Sequence, residues 1–540
     1  SARRMAFQAA AALVSSVAVT CSNSSFSSCS YMFGESCPSA SANAVYNRTS
    51  NLTSGFAALD ITTPLQASGF SRADVLTTNY AAGLAEGLLT AADMASFYSN
   101  VYEFGSGAPP TELLDFVDAN DQWVRGQAAG RMESDDYWMA VASTYARFDG
   151  MLDGYNAQAA NLSIPAMKPI DLLWVNLDGD LFDLMSAFGD ISSPSAKLGG
   201  RKGRAKALWD GVSLYPNGLR CSALFKLTES NQELYFGHDT WDTYATAAPR
   251  SFKHLTLPVW SGEAALKRTV SFSSSPGFLV SIDDYYVVKD EKSSLVVIET
   301  SNNIYRHSAY SALTPQSVMC FARTAVANAL AVDAPGWAKW FSGYPSGTYN
   351  NQWMVLDLNK FVKGQPLAND TFWVLEEVPG LIHAEDQSSW LQEKRYWGSY
   401  NVAFYPETRK AAGEVQNHST CMRARLFASL QPSITSAEAM ESVMAWNDYQ
   451  NSSIAHSPSE AIMARGDLAA MPRTGGGIDS KVGSASSIAE GMCTRARAGP
   501  TNDDQPPFCW EGRFEHSSTP HMGHPVCFDF DWAPFKPNVS

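Results

Sequence analysis

Two hydrophobic rhythms divide the chain. Residues 55–150 read as helical. Ala81 to Tyr98 is rich in Ala, Leu and Met and nearly free of Gly and Pro, and Asp135 to Leu152 has the same character. Residues 170–187, IDLLWVNLDGDLFDLMSA, are strongly apolar with spaced acids. The pattern then breaks. Residues 190–220 are rich in Gly, Pro and Ser and carry Lys197, Arg201, Lys202, Arg204 and Lys206, which predicts an exposed connector open to proteases. Beyond it, short β-branched and aromatic runs predict strands at Cys221–Leu227, Leu234–His238, Thr269–Ser274, Phe278–Val288 and Ser294–Thr300. The break after Val288 predicts a hairpin. Helices are predicted over Gln316–Ala331 and Ala437–Tyr449, with strands at Gln352–Leu358 and Phe372–Glu377. The Gly/Pro-rich final ~70 residues are expected to wrap the core in short elements. Helices followed by a run of strands predict an α+β fold, with helices packed on largely antiparallel sheet. No fixed-period repeat is present.

Length changes the picture little: 540 residues at ~150 per domain suggest three or four domains. Hydrophobic residues make up 45% and charged residues 17%, which excludes a disordered or coiled-coil chain. The net charge of −15 argues against nucleic acid as a partner. Residues 3–20, RRMAFQAAAALVSSVAVT, resemble a signal peptide in composition, and we read their Ala/Val run as a buried strand or helix of the mature chain. No other stretch approaches ~18 uninterrupted apolar residues, so no transmembrane helix is expected.

Nine cysteines, three near each terminus, leave at least one thiol outside an internal disulfide. Eight sequons lie at Asn23, Asn47, Asn51, Asn161, Asn369, Asn417, Asn451 and Asn538. Together they favour the secretory pathway, in a lysosome-like compartment or outside the cell.

Several common catalytic motifs are absent. There is no Gly-x-Ser-x-Gly elbow, no phosphate-binding Gly-x4-Gly-Lys-Ser/Thr loop and no His-Glu-x-x-His helix. His521 and His524 sit among Gly and Pro, which build no helical metal face, and no metal or cofactor is assigned. Arg465-Gly-Asp467 reads as a turn with an internal Arg–Asp contact, and Gly475-Gly-Gly477 as a flexible turn. Cys221 stands apart from the terminal clusters and opens a predicted strand. One turn later comes His238, and a hairpin of that length returns it beside Cys221. A neighbouring base or cation can turn a thiol into a nucleophile. By spacing alone, an inert buried cysteine and a turn-capping histidine fit equally well.

The run Cys221-Ser-Ala-Leu-Phe-Lys-Leu…Phe-Gly-His238-Asp-Thr-Trp241-Asp-Thr-Tyr244 closely resembles the phospholipase B-like family of N-terminal-nucleophile hydrolases. So do Ser346-Gly-Thr-Tyr-Asn-Asn-Gln-Trp-Met354, Glu377-Val-Pro-Gly380, Tyr396-Trp-Gly-Ser-Tyr-Asn401 and Gly476-Gly-Ile-Asp-Ser-Lys-Val482. The blocks Gly499–Phe508 and His521–Pro525 complete the set, and together they span residues 165–535. The resemblance implies a sandwich of two stacked antiparallel sheets between helical layers. It implies one large domain in two segments, 1–220 (mostly helical, with the 190–220 connector) and 221–540. It implies self-cleavage between Arg220 and Cys221, which frees the Cys221 amine as base for its own thiol. His238 and Trp241 match active-site positions, Asn401 a donor to the oxyanion, and Arg423 a cation near the nucleophile, with Arg425 as runner-up for that role. The implied substrate is a lipid or other small ester or amide. The implied activity is hydrolysis; the alternative is a non-catalytic structural or lipid-carrier protein on the same fold.

Two departures from the family pattern stand out. Asn217-Gly-Leu-Arg220 replaces a small Gly/Ser run before the nucleophile. Asp239 replaces a common asparagine, and its charge is expected to raise the His238 pKa if the two side chains lie close.

Overall fold

The computed structural model describes residues 17–21, 28–33, 37–48, 51–63, 69–102, 109–188 and 221–537. Asn23, Asn538, residues 3–16 and the whole of the predicted 190–220 connector, Arg220 included, lie outside them.

The strands, in chain order, are β1 (Val17–Cys21), β2 (Ser28–Phe33), β3 (Cys37–Asn47), β4 (Phe56–Thr62), β5 (Cys221–Leu227), β6 (Leu234–Thr243), β7 (Arg250–Ser261) and β8 (Ala264–Ser274). They continue as β9 (Tyr285–Lys289), β10 (Ser294–Ser301), β11 (Asn351–Asp357), β12 (Phe372–Val378), β13 (Leu381–Asp386), β14 (Tyr396–Ser399), β15 (Gly475–Ser484) and β16 (Thr494–Ala498). Three short strands end the chain: β17 (Phe508–Cys509), β18 (Cys527–Phe528) and β19 (Ala533–Phe535).

An eleven-stranded sheet runs β1-β2-β3-β4-β7-β8-β9-β10-β11-β12-β13, antiparallel except where β4 lies parallel to β7. A six-stranded antiparallel sheet runs β14-β5-β6-β15-β16-β19. The two sheets face each other across one apolar core, in which Phe225 and Phe236 of the smaller sheet meet Val287, Val296, Ile298 and Phe372 of the larger. The other face of the larger sheet, including Leu295 and Val297, packs on the helices Arg72–Tyr102, Asp136–Leu162 and Cys320–Leu330. That is why β10 reads as the unbroken run Leu-Val-Val-Ile: both faces are covered, so no polar position alternates. Outside the smaller sheet lie Met422–Leu430 and Ala437–Met444, joined to Leu224 and Val482 in a third apolar cluster.

The α+β expectation holds, with corrections. The segment 55–150 is not wholly helical: it begins with β4, which inserts into the larger sheet beside β7. Of the predicted strand Phe278–Val288, only Tyr285 onward is extended. Gly475-Gly-Gly477 is not a turn. It opens β15, a ten-residue strand between β6 and β16, with a register irregularity between Gly477 and Asp479. A Cβ at Gly476, where φ is +148°, would fall 2.4 Å from the backbone oxygen of Ala464, so this strand needs glycine for close packing.

The helices Arg72–Tyr102 and Asp136–Leu162 touch backbone to backbone. A Cβ built at Gly83 would lie 1.9 Å from Arg147 O, and one at Gly150 would lie 2.1 Å from Tyr80 O. Alanine is the better helix former by about 1 kcal/mol. Gly150→Ala is nevertheless expected to destabilise the protein by about 2 kcal/mol, because a backbone oxygen cannot move aside. Urea denaturation checks this; a stabilised variant would contradict the packing described.

Asp180, in the helix Asp178–Phe188, is buried. It accepts from Thr348 Oγ1 at 2.5 Å, and burial pushes its carboxyl up to about 7. The folded chain therefore holds a proton there that the unfolded chain releases near pH ~4. The contribution of Asp180 to stability is greatest below that pH and is lost as pH rises towards 7. Denaturation at several pH values should show this slope, and Asp180→Asn should flatten it.

Candidate active site

Cys221 opens β5, which pairs with β6 in the register Cys221↔Thr240 and Ala223↔His238. The hairpin inferred from spacing does bring the two residues together. The Cys221 Sγ, a His238 ring nitrogen and a Glu299 carboxylate oxygen all lie within 4.8 Å of one another, and all three residues are buried.

The main chain of Cys221 is held at both ends. Its N–H donates to Asn401 Oδ1 at 3.1 Å, and its carbonyl accepts from Arg423 Nη1. Asn401 follows β14 with φ +68°, a left-handed conformation that asparagine tolerates better than most residues. Its Nδ2 donates to Ser301 O at 2.9 Å. Arg423 projects from the first turn of Met422–Leu430 and donates to Ser222 Oγ (3.1 Å), Tyr400 O (2.7 Å) and Asn401 Oδ1 (2.7 Å). Its guanidinium sits 4.4 Å over the Trp241 ring. Burial pulls its pKa down to about 10, so it stays charged at neutral pH. Arg425, two residues on, is exposed, and it is Arg423 that reaches Cys221.

Burial pushes the Cys221 thiol well up, and the Glu299 carboxylate adds to this. A backbone contact at Trp241, then Lys481 and Arg423, act in the opposite direction. Burial, followed by the Lys481 charge, drives His238 well below its usual value. Among the described residues neither His238 ring nitrogen makes a hydrogen bond of normal geometry, although the Glu299 backbone lies close enough to favour a ring N–H.

The expectation that Asp239 raises His238 is therefore corrected. Successive side chains of β6 point to opposite faces, so Asp239 faces Ser222 and Ser480 instead. It accepts from Ser480 Oγ at 2.6 Å, and burial pushes its carboxyl well up. A carboxyl on the far face of the strand, turned towards Ser222 and Ser480, is too badly placed to hold a charge on the imidazole.

Sequence reasoning missed several residues of the site. Glu299 hid as the single acid of β10, directly behind its Leu-Val-Val-Ile run. Its partner Tyr349 Oη lies at 3.3 Å. Arg250 bridges Asp283 and Asp479, and Lys481 joins Asp479 to Thr240 Oγ1 (2.7 Å). The Arg250 and Lys481 charges hold Asp479 below the usual carboxylate range. The signal for Asp479 and Lys481 was the charged pair inside Gly476–Val482, which was recognised as a block but given no role. A cavity of about 50 Å³ opens against Cys221, walled by Trp241, Arg250, Asp283, Ser301 and Tyr349 among others. The Cys221–His238–Glu299 trio offers the thiolate, imidazole and carboxylate donor types that zinc accepts.

Elsewhere, Arg465 and Asp467 form the internal contact expected of that triplet, Nη2 to Oδ2 at 2.7 Å. His521 stacks on Trp510 at 4.1 Å. Cys221, Cys320, Cys421 and Cys493 are free thiols, and Cys509–Cys527 is a disulfide. The sequon asparagines Asn47, Asn161, Asn369, Asn417 and Asn451 are exposed, and Asn51 begins a short helix. No helix among the described residues is long and apolar enough to cross a membrane.

Comparison with known proteins places this site in context. The family profile for Phospholipase B matches residues 42–535. The chain is 32% identical over 475 residues to Phospholipase B-like 1 of Rattus norvegicus, covering 85% of this chain and 82% of that one. It is 31% identical over 472 residues to Phospholipase B of Crotalus adamanteus, with the same two coverages. Phospholipase B-like protein G of Dictyostelium discoideum is 30% identical over 492 residues, covering 85% and 80%. With the profile spanning the helical segment, the smaller sheet, the larger sheet from within β3 onward and every residue gathered around Cys221, the chain belongs to the phospholipase B family.

Proposed function

We propose that the protein hydrolyses ester or amide bonds of lipid acyl groups, with Cys221 as an N-terminal nucleophile freed by cleavage of Arg220–Cys221. The observation that carries this reading is the convergence on one strand-opening cysteine. Asn401 Oδ1 holds its nitrogen, Arg423 its carbonyl, and His238 and Glu299 flank its sulfur. The relatives named phospholipase B support a phospholipid ester as substrate. Two stacked sheets with helices on both outer faces support the N-terminal-nucleophile fold, and the β4–β7 pairing supports one domain built from both segments. The exposed sequons and the Cys509–Cys527 bridge support a secretory or lysosome-like compartment.

In the maturation step, the Cys221 thiol attacks the Arg220 carbonyl carbon. The C–N bond breaks as the nitrogen takes up the thiol proton, and water hydrolyses the resulting thioester, returning the thiol and leaving a carboxylate on Arg220. The freed α-amine, with pKa near ~8, lies beside its own thiol and is oriented by Asn401 Oδ1. In turnover, the amine takes the thiol proton and the sulfur attacks the acyl carbon. The leaving alcohol or amine then takes that proton, and water clears the thioester. Arg423 favours the thiolate. Trp241 walls the pocket, and Lys481 and burial keep His238 neutral. Asn401 here holds the amine; donation from its Nδ2 to an oxyanion requires giving up Ser301 O. A cavity of about 50 Å³ accepts no acyl chain, so opening of its wall is part of the proposal.

Incubation with a short-chain phosphatidylcholine, quenched in acid, tests the reading. An acyl adduct on the Cys221 peptide, removed by hydroxylamine, is the expected result. Hydrolysis without an adduct would remove Cys221 from the mechanism. Neither adduct nor hydrolysis would favour the non-catalytic lipid-carrier reading.

A further inference from the structure

A second cavity, of about 80 Å³, lies between the larger sheet and its covering helices. It shares no lining residue with the cavity at Cys221. Leu255, Leu257, Val270 and Phe272 make one wall apolar. Half-buried Ser143, Trp260 and Ala329 mark its mouth, and buried Arg147, Leu279 and Tyr286 its inner end.

Arg147 is out of place in such a pocket. Its Nη2 donates to Leu279 O at 2.6 Å, and among the described residues its Nε has no partner and it makes no ion pair. The nearby carboxylate of Glu86 is held by Lys253 Nζ at 2.6 Å, so one buried anion serves two buried cations. The other cation lining the cavity, Arg268, is neutralised by Asp290. A buried cation without a counter-ion is costly, and an incoming anion relieves that cost. The guanidinium fork matches a carboxylate, and the apolar wall matches an alkyl chain. The volume admits a carboxyl group and its first methylenes, with the rest of the chain leaving by Trp260.

We propose that this cavity binds a fatty acid, its carboxylate on Arg147 and its chain running along Leu255, Leu257 and Val270 to the mouth at Trp260. The site lies apart from Cys221 and does not depend on catalysis there.

Calorimetric titration of the full chain with monomeric laurate tests it. One laurate should bind per chain, and 1-dodecanol should bind at least ten-fold more weakly. Arg147→Met should weaken laurate at least ten-fold. Because that variant changes a buried residue, Ala329→Trp, which plugs the mouth from its half-buried side, provides a second arm with the same expected loss. Laurate binding should persist in Cys221→Ala protein, which separates this proposal from the hydrolase reading. Absence of laurate binding, equal affinity for dodecanol, or unchanged affinity in both pocket variants would overturn it.

Discussion

Cys221→Ala should abolish hydrolysis, with a loss of at least about 10⁴-fold in kcat, the scale seen when a covalent nucleophile is removed. No neighbour can take over. Ser222 points to the opposite face of β5, where its hydroxyl donates to Ile462 O at 2.8 Å and accepts from Arg423. The other free thiols among the described residues, Cys320, Cys421 and Cys493, do not line the cavity. The substitution removes only a buried sulfur from a strand end, so the fold should survive, and circular dichroism checks that it does. Fatty acid released per mole of protein is the readout. Activity within ten-fold of wild type would sink the thiol mechanism.

Arg423→Gln should lower kcat by about 10²–10³-fold, the usual range for a preorganised donor near developing charge. Four contacts are lost together: those to Cys221 O, Ser222, Tyr400 O and Asn401 Oδ1. With them goes the cation that favours thiolate. The acidic limb of the pH–rate profile should therefore move to higher pH, a shift that loosened packing alone would not produce. Arg425→Gln is the control. Its side chain is exposed, and activity should stay within two-fold. Equal losses in both variants would show that charge in this helix matters only generally.

What could be read in advance follows from which force dominates each element. The β5–β6 hairpin was legible because its apolar runs and turn fix the register, and register alone sets His238 two residues past the level of Cys221. β10 was legible because it is buried on both faces. β15 was not: three glycines and an Asp-Ser-Lys core look like a loop. Strand pairing on both sides and the ion pairs of Asp479 make it a central strand. β4 was hidden because seven residues carry little periodicity beside long helices. Within the site, Cys221, His238, Trp241, Asn401 and Arg423 were found through family resemblance. Glu299 and Arg250 come from strands of the other sheet, and only the stacking of the sheets brings them near. Asp239 was misjudged because adjacency in sequence along a strand means opposition in space.

The most direct test is the N-terminal sequence and mass of the purified protein. Expressed in a secretory host, wild-type chain should yield a fragment that begins at Cys221, in amounts that rise with activity, while Cys221→Ala protein should stay intact. A fully active preparation in which residues 220 and 221 remain joined would contradict the account.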